Sequence, residues 1–329
     1  MRIIQFKQDG RTCVGRVIDH DQVELVAADD GVYGLALQAI AENAALPALI
    51  ERRATGTRVD YQALVDERRL LPPLTHPDPA HLLVSGTGLT HLGSAASRNA
   101  MHAKIAQDPA PSDSMKMFKL GVEGGKPAAG AAGVQPEWFY KGDGGIVVAP
   151  EADFPVPGFA QDAGEEPELA GVYVIDPQGR PRRIGFAIGN EFSDHVTERF
   201  NYLWLAHSKL RPCAFGPELL LGEAPADLQG TSRIVRAEDT LWEQPFATGE
   251  ANMSHTLANL EHHHFKYAQF RRPGDAHVHF FGTATLSFAD QVQTRDGDRF
   301  EISLQGFGRP LRNTVRYQPD AGLAQAEGL

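Results

Sequence analysis

Two apolar runs joined by one strong turn narrow the architectures open to this chain. Leu169 to Ile175 (LAGVYVI) reaches Asp176-Pro177-Gln178-Gly179, and Arg183 to Ile188 returns. A turn of that composition between apolar runs signals an antiparallel hairpin. Acids flank its open end: Glu165-Glu166-Pro167-Glu168 leads in, and Gly189-Asn190-Glu191 comes after the return. Side chains alternate along a strand, so Glu166 and Glu168 share a face, and the return strand can bring Glu191 to them. Three gathered carboxylates call for a cation. An all-oxygen donor set suits Mg²⁺ or Mn²⁺, with positions left for water or substrate. A Glu-x-Glu pair on an exposed strand face is the plain alternative; the hairpin setting favours the metal.

Composition bounds the rest. The 329 residues suffice for one large domain or two smaller ones. With 33 Gly and 22 Pro, turns are frequent and strands should outnumber helices. The net charge of −11 argues against nucleic acid, which selects basic surfaces. It does not argue against an anionic substrate, because a bound cation reverses the local field. No run of 18 apolar residues is present, so no membrane span is expected. The start, MRIIQFKQDG, reads as a strand and not as a signal peptide. Cys13 and Cys213 form no motif and read as small core residues in a reducing, cytoplasmic setting.

Along the chain, residues 1–75 form a small unit of three strands and two helices, closed by Leu70-Leu71-Pro72-Pro73. Residues 76–329 form the larger unit. A strand His81–Ser85 and a glycine turn precede an expected helix over 90–105, with His91 near its start. Residues 107–136, rich in Pro, Ala and Gly, read as a lid-like excursion holding a short helix over 113–120. Beyond Trp138 strands dominate. The exceptions are an expected helix over 194–204, with Phe200, Leu203 and Trp204 as its apolar face, and a strand pair 293–296 with 299–304.

The motifs fall in an order: Trp138-Phe139-Tyr140-Lys141 before a glycine turn, Glu-x-Glu, Gly-Asn-Glu, Lys209 before Cys213-Ala214-Phe215-Gly216-Pro217, Gly282-Thr283, and Asp296-Gly297-Asp298. That order resembles the fumarylacetoacetate hydrolase family over roughly residues 80–315. Within it, the branch of 2-keto-3-deoxy sugar acid dehydratases is the nearest in look. The resemblance implies an α+β, mostly β fold: a mixed β-roll preceded by a small N-terminal α+β domain. It implies one divalent cation on Glu166, Glu168 and Glu191, Mg²⁺ with Mn²⁺ as a substitute, a 2-keto acid substrate, and a homodimer. Lys141 and Lys209 would meet the substrate or act as base, His91 would be an acid or base on the lid, and Thr283 would bind the substrate carboxylate. The chain departs from the family pattern in three ways. Glu191 stands where Asp is usual. The usual lysine offset falls on His207, while Lys209 lies four before Cys213; Lys209 is favoured. No Glu follows His91 closely, which weakens a water-activating hydrolase.

The implied reaction is loss of the C4 hydroxyl from a 2-keto-3-deoxy sugar acid through an enolate, giving a semialdehyde. The alternative within the fold is C–C hydrolysis of a 2,4-diketo-3-deoxy acid to pyruvate and a hydroxy acid. Two readings lie outside it. His262, His263 and His264 with His277 and His279 could make a cupin-type imidazole site, although no acid follows and the triple histidine reads more simply as a solvated or interface segment. A sugar-acid sensor without turnover is the other.

Overall fold

The computed structural model describes residues 1–93 and 112–329. Its frame is the hairpin read from the sequence. Strands Pro167–Ile175 and Pro181–Asn190 pair antiparallel, with Glu168 opposite Gly189 and Pro167 opposite Asn190. The turn closes because the Asp176 carboxylate accepts the Gln178 and Arg180 N–H groups, each at 2.9 Å. Both strands lie inside the protein, so the open end of the hairpin is a buried place.

The hairpin sits within a 13-stranded mixed sheet, and a five-stranded sheet packs with it. Strand Ala276–Phe280 flanks the hairpin antiparallel, and strand Leu82–Gly86 runs parallel beyond that. The N-terminal strands Arg2–Gln8, Arg11–Val17 and Gln22–Val26 form as read. Arg2 and Ile3 pair with Leu220 and Leu219, so the sheet continues through the linker read near residue 75.

Two apolar layers fix the hairpin. Ala170, Val172, Val174 and Ala187 pack with helices Gly31–Ala41 and Leu46–Arg53. Leu169, Phe186 and Ile188 pack with Phe154, Phe300 and Ile302 of the smaller sheet. At roughly 1.5–3 kcal/mol per buried large apolar side chain, this two-sided burial sets the register. The fold is thus mostly β with peripheral helices, as expected.

Several local expectations fail. The first residues of the helix expected over 90–105 are not helical: His91 bridges Met253, and Leu89 and Gly93 have positive φ. Residues 94–105 of that helix and 107–111 of the lid-like stretch lie outside the described residues. Within that stretch the helix does form and is longer, Asp113–Gly124, capped by Ser112. The helix expected over 194–204 breaks at Asn201, whose extended backbone ends helix His195–Phe200 and whose side chain caps a 3-10 turn, Tyr202–Trp204. Phe200 and Leu203 consequently point outward, 73% and 86% exposed. Residues 293–296 form no strand; Arg299–Leu304 pairs instead with Leu228–Arg236 and Leu311–Tyr317. Strand Ala54–Asp60 was missed because it is a polar edge without apolar alternation. Helix Leu257–Phe265, capped by Thr256, buries His263 and His264, so that segment is not simply solvated.

Candidate metal centre

The open end of the hairpin gathers the three acids. Glu166 lies one residue before its strand, and its C=O accepts the Glu191 N–H at 3.1 Å, extending the ladder by one pair. Asn190 braces the same corner by accepting the Glu166 N–H at 3.2 Å. One carboxylate oxygen from each of Glu166, Glu168 and Glu191 lies within 4.8 Å of the others, and all three residues are buried. The opposite parity sends Glu165 away, where its carboxylate accepts from Ser287 N–H and Oγ.

Lysines offset only part of this charge. Lys209 Nζ donates to Glu166 Oε1 at 2.5 Å, Glu191 Oε2 at 2.7 Å and Ser193 Oγ at 3.0 Å. Lys141 Nζ, wholly enclosed, donates to the Phe192 and Lys209 carbonyls and lies 2.5 Å from Glu191 Oε1. That last contact is an ion pair between two fully buried groups. Among the described residues, Glu168 receives only the Gly282 N–H, at 2.5 Å. Gly282 can aim that N–H because it adopts φ +94°, and a Cβ there would lie 2.4 Å from Thr90 Oγ1.

Burial and these contacts set the protonation pattern. Burial, then the charges of Glu166 and Glu191, push Glu168 well above the usual carboxylate range. Burial also raises Glu191, outweighing both lysines. Burial opposes ionisation of Glu166 too, but there Lys209 and His195 prevail and hold it below the usual range. Without a cation, then, burial and the neighbouring acids disfavour the charged form of Glu168 most strongly. A divalent ion would supply positive charge to a buried set of three converging carboxylate oxygens, so these residues fit Mg²⁺ or Mn²⁺.

The other residues singled out by sequence divide. Lys209 is buried among the acids, whereas His207 is exposed. Lys141 stands behind Glu191, enclosed by its three partners, and not against open space. Thr283 directly follows Gly282, and its Oγ1 accepts the Thr285 N–H at 3.2 Å. His91 is buried between Thr90 Oγ1 at 3.0 Å and Thr248 Oγ1 at 2.8 Å, and burial depresses it to about 3. The histidines of the imidazole reading do meet: His264 Nε2 lies 3.1 Å from His277 Nδ1, and His264 stacks on His279. Stacked rings do not converge their nitrogens, and among the described residues only the glutamates form a group able to hold a metal.

Sequence reasoning missed Ser193, His195 and Glu137. His195 Nε2 lies 3.0 Å from Glu166 Oε1. Glu137, 8% exposed, accepts from Tyr202 O–H at 2.5 Å. Burial raises it to about 7, against the Tyr202 hydrogen bond and the pull of Lys209. Glu137 also lines a cavity of about 280 Å³ with Trp138, Tyr202, Leu205 and His263. Its signal was adjacency to the aromatic strand carrying Lys141; nothing local marked His195.

The mostly β roll that carries this buried carboxylate triad is a fold that solved structures share. The sequence matches no family profile and no curated protein. A 2-keto-3-deoxy-D-arabinonate dehydratase in its apo form is similar, at 22% identity and TM-score 0.70, over 97% of this chain and 100% of that one. The same dehydratase complexed with magnesium and 2,5-dioxopentanoate gives 21% and 0.69, with the same coverage. A 5-carboxymethyl-2-hydroxymuconate delta-isomerase from Mycobacterium smegmatis gives 17% and 0.59, also over 97% and 100%. At these identities the likeness establishes the fold, that of the fumarylacetoacetate hydrolase type, and leaves the reaction to be argued from the site.

Proposed function

We propose that the protein is a divalent-metal-dependent dehydratase of a 2-keto-3-deoxy sugar acid of pentonate size. The observation that carries this reading is a buried carboxylate triad beside a cationic lysine, with one further carboxyl, Glu137, poised near neutrality. Glu166, Glu168 and Glu191 would hold Mg²⁺ or Mn²⁺, which when bound supplies Lewis-acid polarisation of the 2-keto group. Lys141 holds Glu191 in place. Lys209, kept protonated by its acids against the effect of burial, stabilises negative charge developing on the substrate. Thr283 donates to the substrate carboxylate.

Glu137 is the acid–base group. As a carboxylate it takes a proton from C3; as the acid it returns that proton to the C4 hydroxyl, which leaves as water with the C–O electron pair. The C3–C4 alkene then shifts by proton transfer to the aldehyde. A group with a pKa near the working pH serves both steps. His91 favours elimination over C–C hydrolysis: neutral and held between two threonine hydroxyls, it is a poor base for activating water.

The test is incubation with Mg²⁺ and each 2-keto-3-deoxypentonate, with products read by mass spectrometry. Loss of water to a semialdehyde, abolished by chelator, is expected. Pyruvate from a 2,4-diketo-3-deoxy acid, with no dehydration, would replace this reading by the hydrolase.

A further inference from the structure

Glu166 is held from behind by a buried histidine and a half-buried aspartate that none of the roles above uses. His195 is the first residue of helix His195–Phe200 and is 5% exposed. Its Nε2 lies 3.0 Å from Glu166 Oε1, and its Nδ1 lies 3.2 Å from Asp162 Oδ2. Both partners are carboxylate acceptors, so both ring nitrogens must carry protons. Three further contacts fix the ring. Its backbone N–H reaches Asp162 Oδ2 at 3.3 Å, Phe288 stacks on it at 5.2 Å, and Gly164 lies so close that a Cβ would sit 2.2 Å from Nδ1. Glu166 Oε1 is therefore held by both His195 and Lys209, and neither of them bonds Oε2.

We infer that His195, braced by Asp162 and admitted by Gly164, is a positioning residue that turns one chosen oxygen of Glu166 towards the cation. This rests on the reading of the three glutamates as cation ligands. Outer hydrogen bonds of this kind typically change metal affinity by about 10–100-fold. An opposing effect must be separated, because removing an imidazolium also removes positive charge near the cation. Replacing Asp162 by Asn at the same time keeps the local net charge constant.

The experiment measures Mn²⁺ binding to the metal-stripped protein, by calorimetry or by the electron paramagnetic resonance of free Mn²⁺, with no substrate present. Asp162→Asn/His195→Gln retains an N–H donor to Glu166 and should bind within about threefold of wild type. Asp162→Asn/His195→Ala lacks it and should bind about 10–100-fold more weakly. Phe288→Leu, which removes only the stacking, should leave affinity within about twofold. Equal affinity in the two double variants, both folded by circular dichroism, overturns the inference, as does a loss in Phe288→Leu as large as in the alanine variant. A wild-type protein that binds no Mn²⁺ overturns instead the ligand reading beneath it.

Discussion

Replacing Glu137 by Gln should cost activity and add stability, and the two effects have one origin. Glu137 is 8% exposed and is raised by burial to about 7, against an ordinary carboxylate value of 4.5. Between those values the folded state holds a proton that the unfolded chain has released. Stability from this group is thus full below pH 4.5 and is lost as pH rises through about 7. A shift of about 2.5 units corresponds to roughly 3 kcal/mol at pH 8, and to about half of that at pH 5.5. Gln cannot ionise and still offers an oxygen to Tyr202. Glu137→Gln should therefore be stabler than wild type by about 3 kcal/mol at pH 8, with the gain halved at pH 5.5. At an unfolding entropy of about 0.7 kcal/mol/K for a chain of this size, that is a melting rise of roughly 4 °C at pH 8. The same variant loses its acid–base group, so kcat should fall about 10²–10⁴-fold. Calorimetric melts at the two pH values, with steady-state kinetics beside them, make the check. A pH-independent melting difference, or turnover within tenfold of wild type, would refute the reasoning about this carboxyl.

The same geometry sets other outcomes. Glu168→Ala should abolish metal-dependent turnover and weaken Mn²⁺ binding, read by titration of the metal-stripped protein. Lys141→Met leaves the Glu191 carboxylate buried without its enclosed counter-ion; it should destabilise by about 3–5 kcal/mol in urea unfolding. Adding Mg²⁺ at a hundredfold over its Kd should stabilise the wild-type protein by about 2.7 kcal/mol, an effect that chelator reverses and that Glu168→Ala lacks. The buried histidines act in the opposite sense to Glu137. Burial holds His264 neutral down to about 3 and also lowers His277 and His279 well below the ordinary value. The unfolded chain takes up these protons from about pH 6.5 downward, so the contribution of these three groups to stability falls as pH drops below that value. His264→Gln should flatten the slope in pH-dependent melts.

The legibility of this chain tracked the range of its interactions. The hairpin was readable because its period, its turn and its acids are local: Asp176 makes its own turn, and alternation alone puts Glu166 beside Glu168. Glu191 was readable because an antiparallel return has one geometry. Lys209 and His207 could be ranked by offset but separated only by burial, which depends on how the short helix Leu205–Lys209 packs. The expected apolar face of Phe200, Leu203 and Trp204 failed because one residue, Asn201, caps a new turn and rotates the residues after it. Periodicity cannot register a cap that interrupts it.

The least legible groups are those whose chemistry is created by partners far along the chain. Glu137 is an unremarkable acid in the sequence; enclosure makes it a neutral-range carboxyl, against the hydrogen bond it accepts from Tyr202, 65 positions away. His195 carries no motif, and its charge exists only because Asp162 and Glu166 both present acceptors to one ring. Residues that cluster in sequence are legible as a pattern, and the three glutamates are of that kind. Glu137 and His195 are defined instead by hydrogen-bond partners distant in the chain. The two sets differ physically. Cation ligands must converge within a few ångströms, so a single hairpin can supply them. A proton-transfer group needs an environment that shifts its pKa, and desolvation of that depth takes several elements packed together. For Glu137 those are the strand that begins at Phe139, the turn holding Tyr202 and the helix ending at Lys209. Loosening that packing without touching Glu137, as in Leu205→Ala on the cavity wall, should lower the pH midpoint of kcat towards the ordinary carboxylate value. An unchanged midpoint in that variant would mean that burial is not what tunes this group.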